Sequence, residues 1–270
     1  MTARRELPGR GVVITGAAGG LGSALAERCA ALGARLALLD LDGARAEALA
    51  ARLRERGAAA DAFGCDIADE AACNDAMAAA QRALGGIDVL VNNAGISARL
   101  LLRDATPAIA RRVMAVNYFG ALHATQAALA SLVERRGQIV VVSSVAGFAP
   151  LVGRTAYAAS KHALHGFFDS LRAELRGAGV AVTIACPSFI ATGIEQAAPG
   201  AAKRATGGDE ATPEAMAAQI IEAACRGQRL CLPGRTARLA WFLSRVAPAA
   251  YERAMRRRVG GEFGLTGSDP

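Results

Sequence analysis

Short apolar runs alternate with alanine-rich stretches along most of the chain, and this alternation predicts the order of its strands and helices. Several apolar runs, such as residues 12–14 and 139–142, contain no polar residue. Strands of that kind are typical of a parallel sheet that is covered on both faces. The pattern predicts strands at about residues 11–15, 35–40, 59–65, 87–91, 138–143, 180–186 and 229–232. It predicts helices at about residues 20–32, 43–56, 69–84, 107–134, 156–177 and 213–226.

Strand–helix alternation predicts an α/β fold: a single doubly wound, mostly parallel, seven-stranded sheet with helices on both faces. The chain has 270 residues and no linker or break in composition before about residue 193. We therefore expect residues 1–234 to form one domain, with the alanine- and glycine-rich residues 193–212 as a lid over its pocket. Residues 235–270 follow the last predicted strand as an extension that we expect to pack on the domain.

The composition excludes several classes of protein. Hydrophobic residues make up 53% of the chain but aromatic residues only 4%, so its core must be aliphatic. The six cysteines are dispersed, without a Cys-x2-Cys pair, which argues against a metal site and a disulfide framework and favours a reducing cytoplasm. Neither a signal peptide nor an apolar run of the ~18 residues that a membrane span requires is present, so we expect a cytoplasmic, at most peripheral protein.

The positive charge is concentrated near the C-terminus. The formal net charge is +7, yet residues 226–258 alone contain nine arginines and one acid, Glu252. The rest of the chain is close to neutral, unlike a nucleic-acid-binding domain, so no nucleic-acid partner is expected.

The C-terminal extension combines this charge with an apolar helical face. Leu239, Phe242, Leu243 and Val246 recur at helical spacing between arginines, and Pro248 then permits a fresh helix. Such an extension could dock on its own domain or on a second subunit, receive a lipophilic substrate, or make a peripheral contact with an anionic membrane through residues 235–258.

A glycine-rich turn follows the first predicted strand. Gly16, Gly20 and Gly22 have the spacing Gly-x3-Gly-x-Gly, directly before an amphipathic helix. Glycines there let the backbone approach a pyrophosphate, which the helix N-terminus attracts, although a tight turn alone would also explain them. Asp40 ends the second strand, where a carboxylate accepts the adenosine ribose hydroxyls and repels a 2′-phosphate, so NAD is favoured over NADP. Arg45, one helical turn later, is the counter-argument.

Tyr157 and Lys161 are four residues apart on a predicted helix and project from one face of it. A fixed ammonium favours the phenolate and lowers the pKa of the phenol, which gives a proton donor and acceptor usable near neutral pH. Taken alone, the pair could equally be an ordinary surface pair.

These residues together resemble the short-chain dehydrogenases/reductases over about residues 11–195. The chain keeps the order of the family's motifs: the turn at 15–22, Asp66, Asn92-Asn93-Ala94-Gly95, Asn117, Ser144, Tyr157, Lys161 and residues 187–192. Ser144 precedes Tyr157 by 13 residues, a separation that the family commonly keeps. The resemblance implies a Rossmann-type domain and an NAD(H)-dependent oxidoreductase that interconverts a hydrophobic secondary alcohol and its ketone.

The resemblance also implies the role of each catalytic position. Tyr157 would exchange a proton with the substrate oxygen, and Lys161 would lower the pKa of the tyrosine and hold the nicotinamide ribose. Ser144 would hydrogen-bond the substrate oxygen, while Ser143 points to the other face of the strand. Asn117 would hold a water that links Lys161 to solvent; taken alone, it could simply stabilise a helix.

The remaining implied positions bind cofactor or substrate. The cofactor would contact Gly16, Gly19, Gly20, Leu21, Gly22, Asp40, Asp66, Ile67, Asn93, Ala94, Gly95, Tyr157, Lys161, Pro187, Ile190 and Thr192. Asp66 would meet the adenine, although it could instead cap the helix that follows. The substrate would contact Ser144, Tyr157, Phe148 and Phe189, with further apolar residues at Leu151, Val152 and Ile194.

The chain departs from the family pattern at Ser188 and in residues 235–270, which continue beyond the last predicted strand. Pro187 is followed by Ser188 where the family usually has glycine, which narrows the wall beside the nicotinamide. The extension resembles the tails of the hydroxysteroid-dehydrogenase-like branch.

Two alternatives to the proposed oxidoreductase remain open. One is a regulatory or scaffolding family member that binds the dinucleotide without catalysis, and the other is a peripheral membrane-associated reductase of a lipid.

Family resemblance finally implies a homodimer. Helices 107–134 and 156–177 of two subunits would pack as a four-helix bundle, with Ala121, Ala124 and Ala128 allowing close approach. The basic extension lies near the edge where related tetramers add a second interface, so we expect a dimer rather than a tetramer.

Overall fold

A parallel β-sheet forms the centre of the fold. The computed structural model describes residues 5–188 and 212–265. Its strands are β1 (Gly11–Thr15), β2 (Arg35–Asp40), β3 (Ala60–Gly64), β4 (Val89–Asn92), β5 (Gln138–Val142), β6 (Ala181–Ala185) and β7 (Leu230–Cys231). They lie in the order β3-β2-β1-β4-β5-β6-β7, with every neighbouring pair parallel. The predicted seven-stranded, doubly wound α/β fold is confirmed.

The helices cover both faces of the sheet. They are α1 (Gly20–Ala31), α2 (Gly43–Glu55), α3 (Glu70–Leu84), α4 (Pro107–Met114), α5 (Gly120–Glu134), α6 (Thr155–Glu174), α7 (Pro213–Cys225), α8 (Gly234–Val246) and α9 (Pro248–Val259). Val12 and Ile14 of β1 face one apolar cluster, with α1, α2 and α7, whereas Val13 faces another, with α3, α5 and α6. Because successive side chains of a strand point to opposite faces, a sheet buried on both sides needs mostly apolar residues on both faces of its strands.

The predicted helix 107–134 is helical over its whole length but is not a regular α-helix throughout. A π-helical turn, Ala115–Phe119, separates α4 from α5. It brings the side chain of Asn117 inward, where its amide donates to the Ile96 carbonyl over 3.0 Å and accepts from the Ile96 N–H over 2.8 Å. At Gly120 an added Cβ would lie 2.5 Å from Cδ1 of Ile67, so the start of α5 packs directly on that side chain. These tertiary contacts, which periodicity does not report, hold the inserted residue in place.

The alanines assigned to a partner interface are inside the subunit. Ala124 and Ala128 are fully buried and Ala121 is 5% exposed, all within the core on the α3–α5 side of the sheet. That part of the dimer prediction is wrong, because these small residues let α5 approach its own sheet. The exposed apolar residues here are Phe119, at the end of the π-helical turn, and Val133 of α5, which are 45% and 38% exposed.

The C-terminal helices pack beside the carboxyl ends of the strands. Ala237 and Ala240 of α8 and Tyr251 of α9 form a small apolar cluster with Val145 and Ala149. A short helical turn after α9 (Gly260–Phe263) is attached to the loop after β4 by an ion pair between Arg99 and Glu262.

The outer side of α8 remains exposed. Leu239, Phe242 and Val246 are 59%, 54% and 66% exposed, in an extension that contains seven arginines. Among the described residues, no helix is both long and apolar enough to cross a bilayer.

Candidate active site

A cavity of about 890 Å³ lies at the carboxyl ends of the strands, between the sheet and the C-terminal helices. Its walls come from the turn after β1, the ends of β2 to β6, α6, α8 and α9. Ligands of open α/β sheets bind at this edge, at the point where the strand order reverses. In this sheet that point lies between the neighbouring strands β1 and β4.

The glycine turn forms one end of the cavity. Gly16 has a φ of 63°, and an added Cβ would lie 2.7 Å from Cα of Ala94. A Cβ at Gly22 would lie 2.1 Å from the Gly16 carbonyl oxygen, so α1 starts in direct contact with the turn. Asn93 holds the turn in place by donating to the carbonyls of Thr15 and Gly16 over 3.0 and 2.9 Å.

The start of α1 suits an anionic group. Its N-cap, Gly19, offers no side-chain hydrogen bond, and the first turn contains no acidic residue. The first N–H groups of a helix have no intrahelical acceptor and carry partial positive charge. With bare backbone on the turn and uncapped N–H groups behind it, the residues present fit a dinucleotide pyrophosphate.

Asp40 and Arg45 lie together beside this turn. One carboxylate oxygen of Asp40 accepts from the Ala18 N–H over 2.8 Å and the other from the Asp42 N–H over 3.0 Å. Two backbone donors therefore fix the carboxylate at the edge of the cavity. Arg45 also lines the cavity, where its guanidinium donates to the Ala18 carbonyl over 2.9 Å.

Asp66 lines the cavity beyond β3 and does not cap α3. The cap is Asp69, whose side chain accepts from the Ala72 N–H. One oxygen of Asp66 accepts from the Ala68 N–H over 3.0 Å, and the other is 3.3 Å from Nη2 of Arg112 on α4. Arg112 also borders the cavity. No local pattern predicts it, because its ion pair joins residues 46 positions apart.

Tyr157 and Lys161 lie on α6 with both side chains at the cavity. The Lys161 ammonium donates to the Val142 carbonyl over 2.9 Å and is 5.6 Å from the centre of the Tyr157 ring. Burial lowers the pKa of Lys161 to about 8. Arg154, which was not predicted, lies one turn before the tyrosine, donates to the Ser97 hydroxyl over 2.6 Å and has its guanidinium 5.8 Å from the ring centre.

Ser144 faces the same part of the cavity from the end of β5. Its hydroxyl oxygen accepts from the Ala146 N–H over 3.1 Å. Because that bond occupies an acceptor site, the hydroxyl proton stays available to donate to a substrate oxygen.

Asn117 is buried behind these groups. Besides the two bonds to Ile96, its amide donates to the Ser160 hydroxyl over 2.9 Å. It therefore ties the π-helical turn to α6 beside Lys161, and the water assigned to it remains a prediction.

Ser143 belongs to a second polar group behind the cavity wall. Its hydroxyl is 3.0 Å from Nε2 of His165, which is also 3.5 Å from the Cys186 sulfur. Burial lowers the pKa of His165 to about 4, so the imidazole is neutral near pH 7. Successive turns of α6 thus contact successive residues at the end of β5: Lys161 contacts Val142, and His165 contacts Ser143.

All the proposed cofactor residues that the structure describes line this one cavity; they are Gly16, Gly19, Gly20, Leu21, Gly22, Asp40, Asp66, Ile67, Asn93, Ala94, Gly95, Tyr157, Lys161 and Pro187. Phe189, Ile190, Thr192, Ile194 and nearly all of the proposed lid lie outside the described residues.

The structure does not bring every proposed substrate residue to the cavity. Leu151 lines it, whereas Phe148 and Val152 are not among its lining residues. Phe148 packs between the His165 ring, 6.5 Å away between centroids, and the Arg245 guanidinium at 5.6 Å. Residues of α8 and α9 form the outer wall instead. Helical spacing in the extension could have indicated these helices, but not that they pack on the cavity.

Comparison with known proteins agrees with this geometry. Residues 10–202 match the family model described as short chain dehydrogenase. The chain is 38% identical over 266 residues to dehydrogenase/reductase SDR family member 7B of Bos taurus, covering 92% of this chain and 81% of that protein. It is 40% identical over 187 residues to 2-(S)-hydroxypropyl-CoM dehydrogenase 3 of Xanthobacter autotrophicus, covering 68% and 73% of the two chains.

A solved structure extends the similarity over the whole fold. The crystal structure of a short-chain dehydrogenase/reductase from Burkholderia phymatum in complex with NAD has a TM-score of 0.78 and 27% sequence identity, covering 98% of both chains. From the family match, the curated relatives and the fold, the chain belongs to the short-chain dehydrogenase/reductase family.

Proposed function

We propose that the protein is an NAD(H)-dependent oxidoreductase that interconverts a hydrophobic secondary alcohol and its ketone. The observation that carries this proposal is the convergence of Ser144, Tyr157 and Lys161 on a cavity that continues to the glycine turn and Asp40. A proton-transfer group and a dinucleotide cradle in one continuous cavity are what a hydride-transfer enzyme requires.

The choice of NAD rests on Asp40. Its carboxylate is fixed by two backbone N–H groups and retains lone pairs for the two ribose hydroxyls, while its charge repels a 2′-phosphate. The structural relative from Burkholderia phymatum was solved with NAD, which supports the same assignment here.

The residues of the chain divide the chemistry between them. Bound NAD(H) supplies or accepts the hydride. The Ser144 hydroxyl donates to the substrate oxygen, and Tyr157 gives that oxygen a proton during reduction or removes one during oxidation. The Lys161 cation, held by the Val142 carbonyl, favours the tyrosinate electrostatically and so makes this proton mobile near neutral pH.

A hydrophobic substrate is favoured by the wall opposite these groups. Leu151, Leu239, Leu243 and Met255 present apolar side chains to the cavity. Burying the hydrocarbon part of a substrate there contributes about 25 cal/mol for each Å² removed from water.

A screen of secondary alcohols with NAD, and of ketones with NADH, tests the proposal by following NADH absorbance with the purified protein. Aliphatic, aromatic and steroidal compounds are to be included. We expect turnover of at least one apolar pair and loss of that turnover in Tyr157→Phe. NADH binding without turnover of any compound would favour the regulatory or scaffolding alternative.

The exposed side of α8 favours a second property, a peripheral contact with an anionic membrane. Phe242 and Val246 are exposed beside the arginine-rich α9, an arrangement that suits a lipid surface. Sedimentation with phosphatidylglycerol vesicles tests it: wild type is expected to co-sediment and Phe242→Gln/Val246→Gln to remain in solution. Equal sedimentation of the two would contradict this contact.

A further inference from the structure

The C-terminal extension supplies one wall of the catalytic cavity. On α9, Tyr251, Ala254, Met255 and Arg258 all line it. Their spacing of three, four and seven residues places them on one helix face, so two successive turns of α9 border the cavity.

This wall lies at the substrate side of the cavity. Tyr251 packs with Val145, which directly follows Ser144, and with Ala149, five residues after Ser144. The adenosine side, with Asp40 at the end of β2 and Asp66 after β3, is at the far end of the sheet edge.

The two ends of the cavity differ in charge. Among the described residues that line it, the acidic ones are Asp40 and Asp66, both on the adenosine side. Arg45 and Arg112 offset these two acids on the adenosine side, whereas the substrate side has the cations Arg154, Lys161 and Arg258 and no acid among the described lining residues. A cavity lined by one sign of charge attracts a ligand of the opposite sign.

Tyr251 adds a buried donor to this wall. Its side chain is 7% exposed, and its hydroxyl finds no hydrogen-bond partner among the residues that the structure describes. Burial raises the pKa of Tyr251, and the charge of Arg258 acts in the opposite direction, so the hydroxyl keeps its proton at neutral pH. Buried hydroxyls are nearly always paired, and a ligand oxygen would supply the missing acceptor.

We propose that α9 forms a subsite for an anionic group of the substrate, held by the Arg258 guanidinium at the rim and the Tyr251 hydroxyl below it. The substrate is then an amphiphile whose carboxylate or phosphate lies on α9. Its hydrocarbon part lies along Leu243 and Met255, and its carbonyl or carbinol carbon lies at Ser144 and Tyr157. This assignment of a substrate class rests on the proposed function, but binding of the anion does not require turnover.

Calorimetric titration of the NAD-loaded protein tests the subsite with three ligands of equal chain length: decanoate, decyl phosphate and 1-decanol. We expect at least one of the two anions to bind about tenfold more tightly than the alcohol, as one charge-assisted contact allows. Comparison of the carboxylate with the phosphate identifies the preferred anion.

Variants on the same helix provide the control. Arg258→Gln is expected to remove the preference for the anion, whereas Arg257→Gln, which changes an exposed arginine outside the cavity, keeps it. Tyr251→Phe preserves the ring and is expected to weaken anion binding several-fold without affecting 1-decanol. Equal affinity of all three ligands for wild type, or equal losses in Arg257→Gln and Arg258→Gln, would overturn the subsite.

The outcomes separate this subsite from the proposed reaction. Arg258-dependent binding of an anion without turnover of any ketone would leave the subsite standing and refute the oxidoreductase. Turnover of neutral ketones without any preference for the anion would support the oxidoreductase and refute the subsite.

Discussion

Tyr157 is the residue on which proton transfer depends. Tyr157→Phe keeps the ring between Arg154 and Lys161 but removes the hydroxyl. We expect kcat to fall by roughly 10²–10⁴-fold, the usual contribution of a general acid–base group. NADH affinity, measured by fluorescence titration, should stay within a few fold, and a variant that retained most of its kcat would identify another proton donor.

Asp40 decides between the two dinucleotides. Asp40→Ala removes the ribose acceptor and the repulsion of a 2′-phosphate, while Arg45 already borders the cavity. We expect kcat/KM to fall with NAD and to rise with NADP, measured in parallel assays. Adding Arg45→Gln should abolish the gain with NADP, and a wild type that prefers NADPH would contradict the role of Asp40.

Lys161 makes the stability of the cofactor-free protein depend on pH. Its folded pKa of about 8 is below the 10.5 of an unfolded lysine, so between these values the unfolded chain binds more protons and stability rises with pH. Relative to Lys161→Met, which does not titrate, wild type should gain up to about 3 kcal/mol across this window. Urea unfolding of both proteins at pH 7 and pH 10 measures the difference, and a constant difference would show that Lys161 titrates normally.

At the scale of elements, docking of the C-terminal segment depends on a glycine. Gly153 has a φ of 70°, and an added Cβ would lie 2.2 Å from Cζ of Phe263. Gly153→Ala should therefore displace Phe263 and loosen the turn that follows α9. We expect faster tryptic cleavage at the arginines of α9, detected by mass spectrometry.

Gly57→Ala is the matched control for this displacement. Gly57 has a φ of 83°, but nothing lies within 4 Å of its added Cβ. Both variants incur the cost of a left-handed alanine, about 1–2 kcal/mol, so only the loss of docking distinguishes them. Equal rates of cleavage in α9 would show that Phe263 does not anchor the extension.

At the scale of the whole molecule, we expect two subunits to pair through the outward sides of α5 and α6. Gly166 on α6 is exposed, and nothing lies within 4 Å of its added Cβ. Gly166→Arg therefore fits the isolated subunit and improves helix propensity by up to about 1 kcal/mol, but it would clash with a partner helix. Light scattering should give the mass of a dimer for wild type and of one 27.6 kDa chain for the variant.

Gly177→Arg is the control for the position of the introduced arginine relative to the α6 interface. Gly177 is also open to solvent and lies beyond the end of α6. This variant should remain dimeric; a wild-type monomer would refute the interface, whereas a tetramer would refute only the blocking role given to the extension.

Local pattern was sufficient for the sheet and for the residues that define the cofactor side of the cavity. The strand positions follow from apolar runs, because a strand buried on both faces is predominantly apolar. The glycine turn, Asp40 and the Tyr157–Lys161 pair could be predicted because each acts within one strand end or one helical turn. Their positions at the cavity were therefore implied once the order of strands was known.

Other features depend on contacts between distant parts of the chain. The π-helical turn exists because Asn117 binds Ile96 and Gly120 meets Ile67, and helical periodicity does not report either contact. Phe148 was assigned to the substrate from its position after Ser144, but its ring packs against His165 outside the cavity lining.

In the C-terminal extension, local pattern predicted the helices, but only the fold established where they pack. Spacing in the sequence indicated an apolar helix followed by an arginine-rich one, but left open whether they meet a membrane, a subunit or the domain. The fold places Tyr251 and Arg258 at the cavity wall. Helix propensity and amphipathicity arise from neighbours within one or two turns, whereas the choice of a packing partner depends on the shape and charge of surfaces that only the folded chain creates.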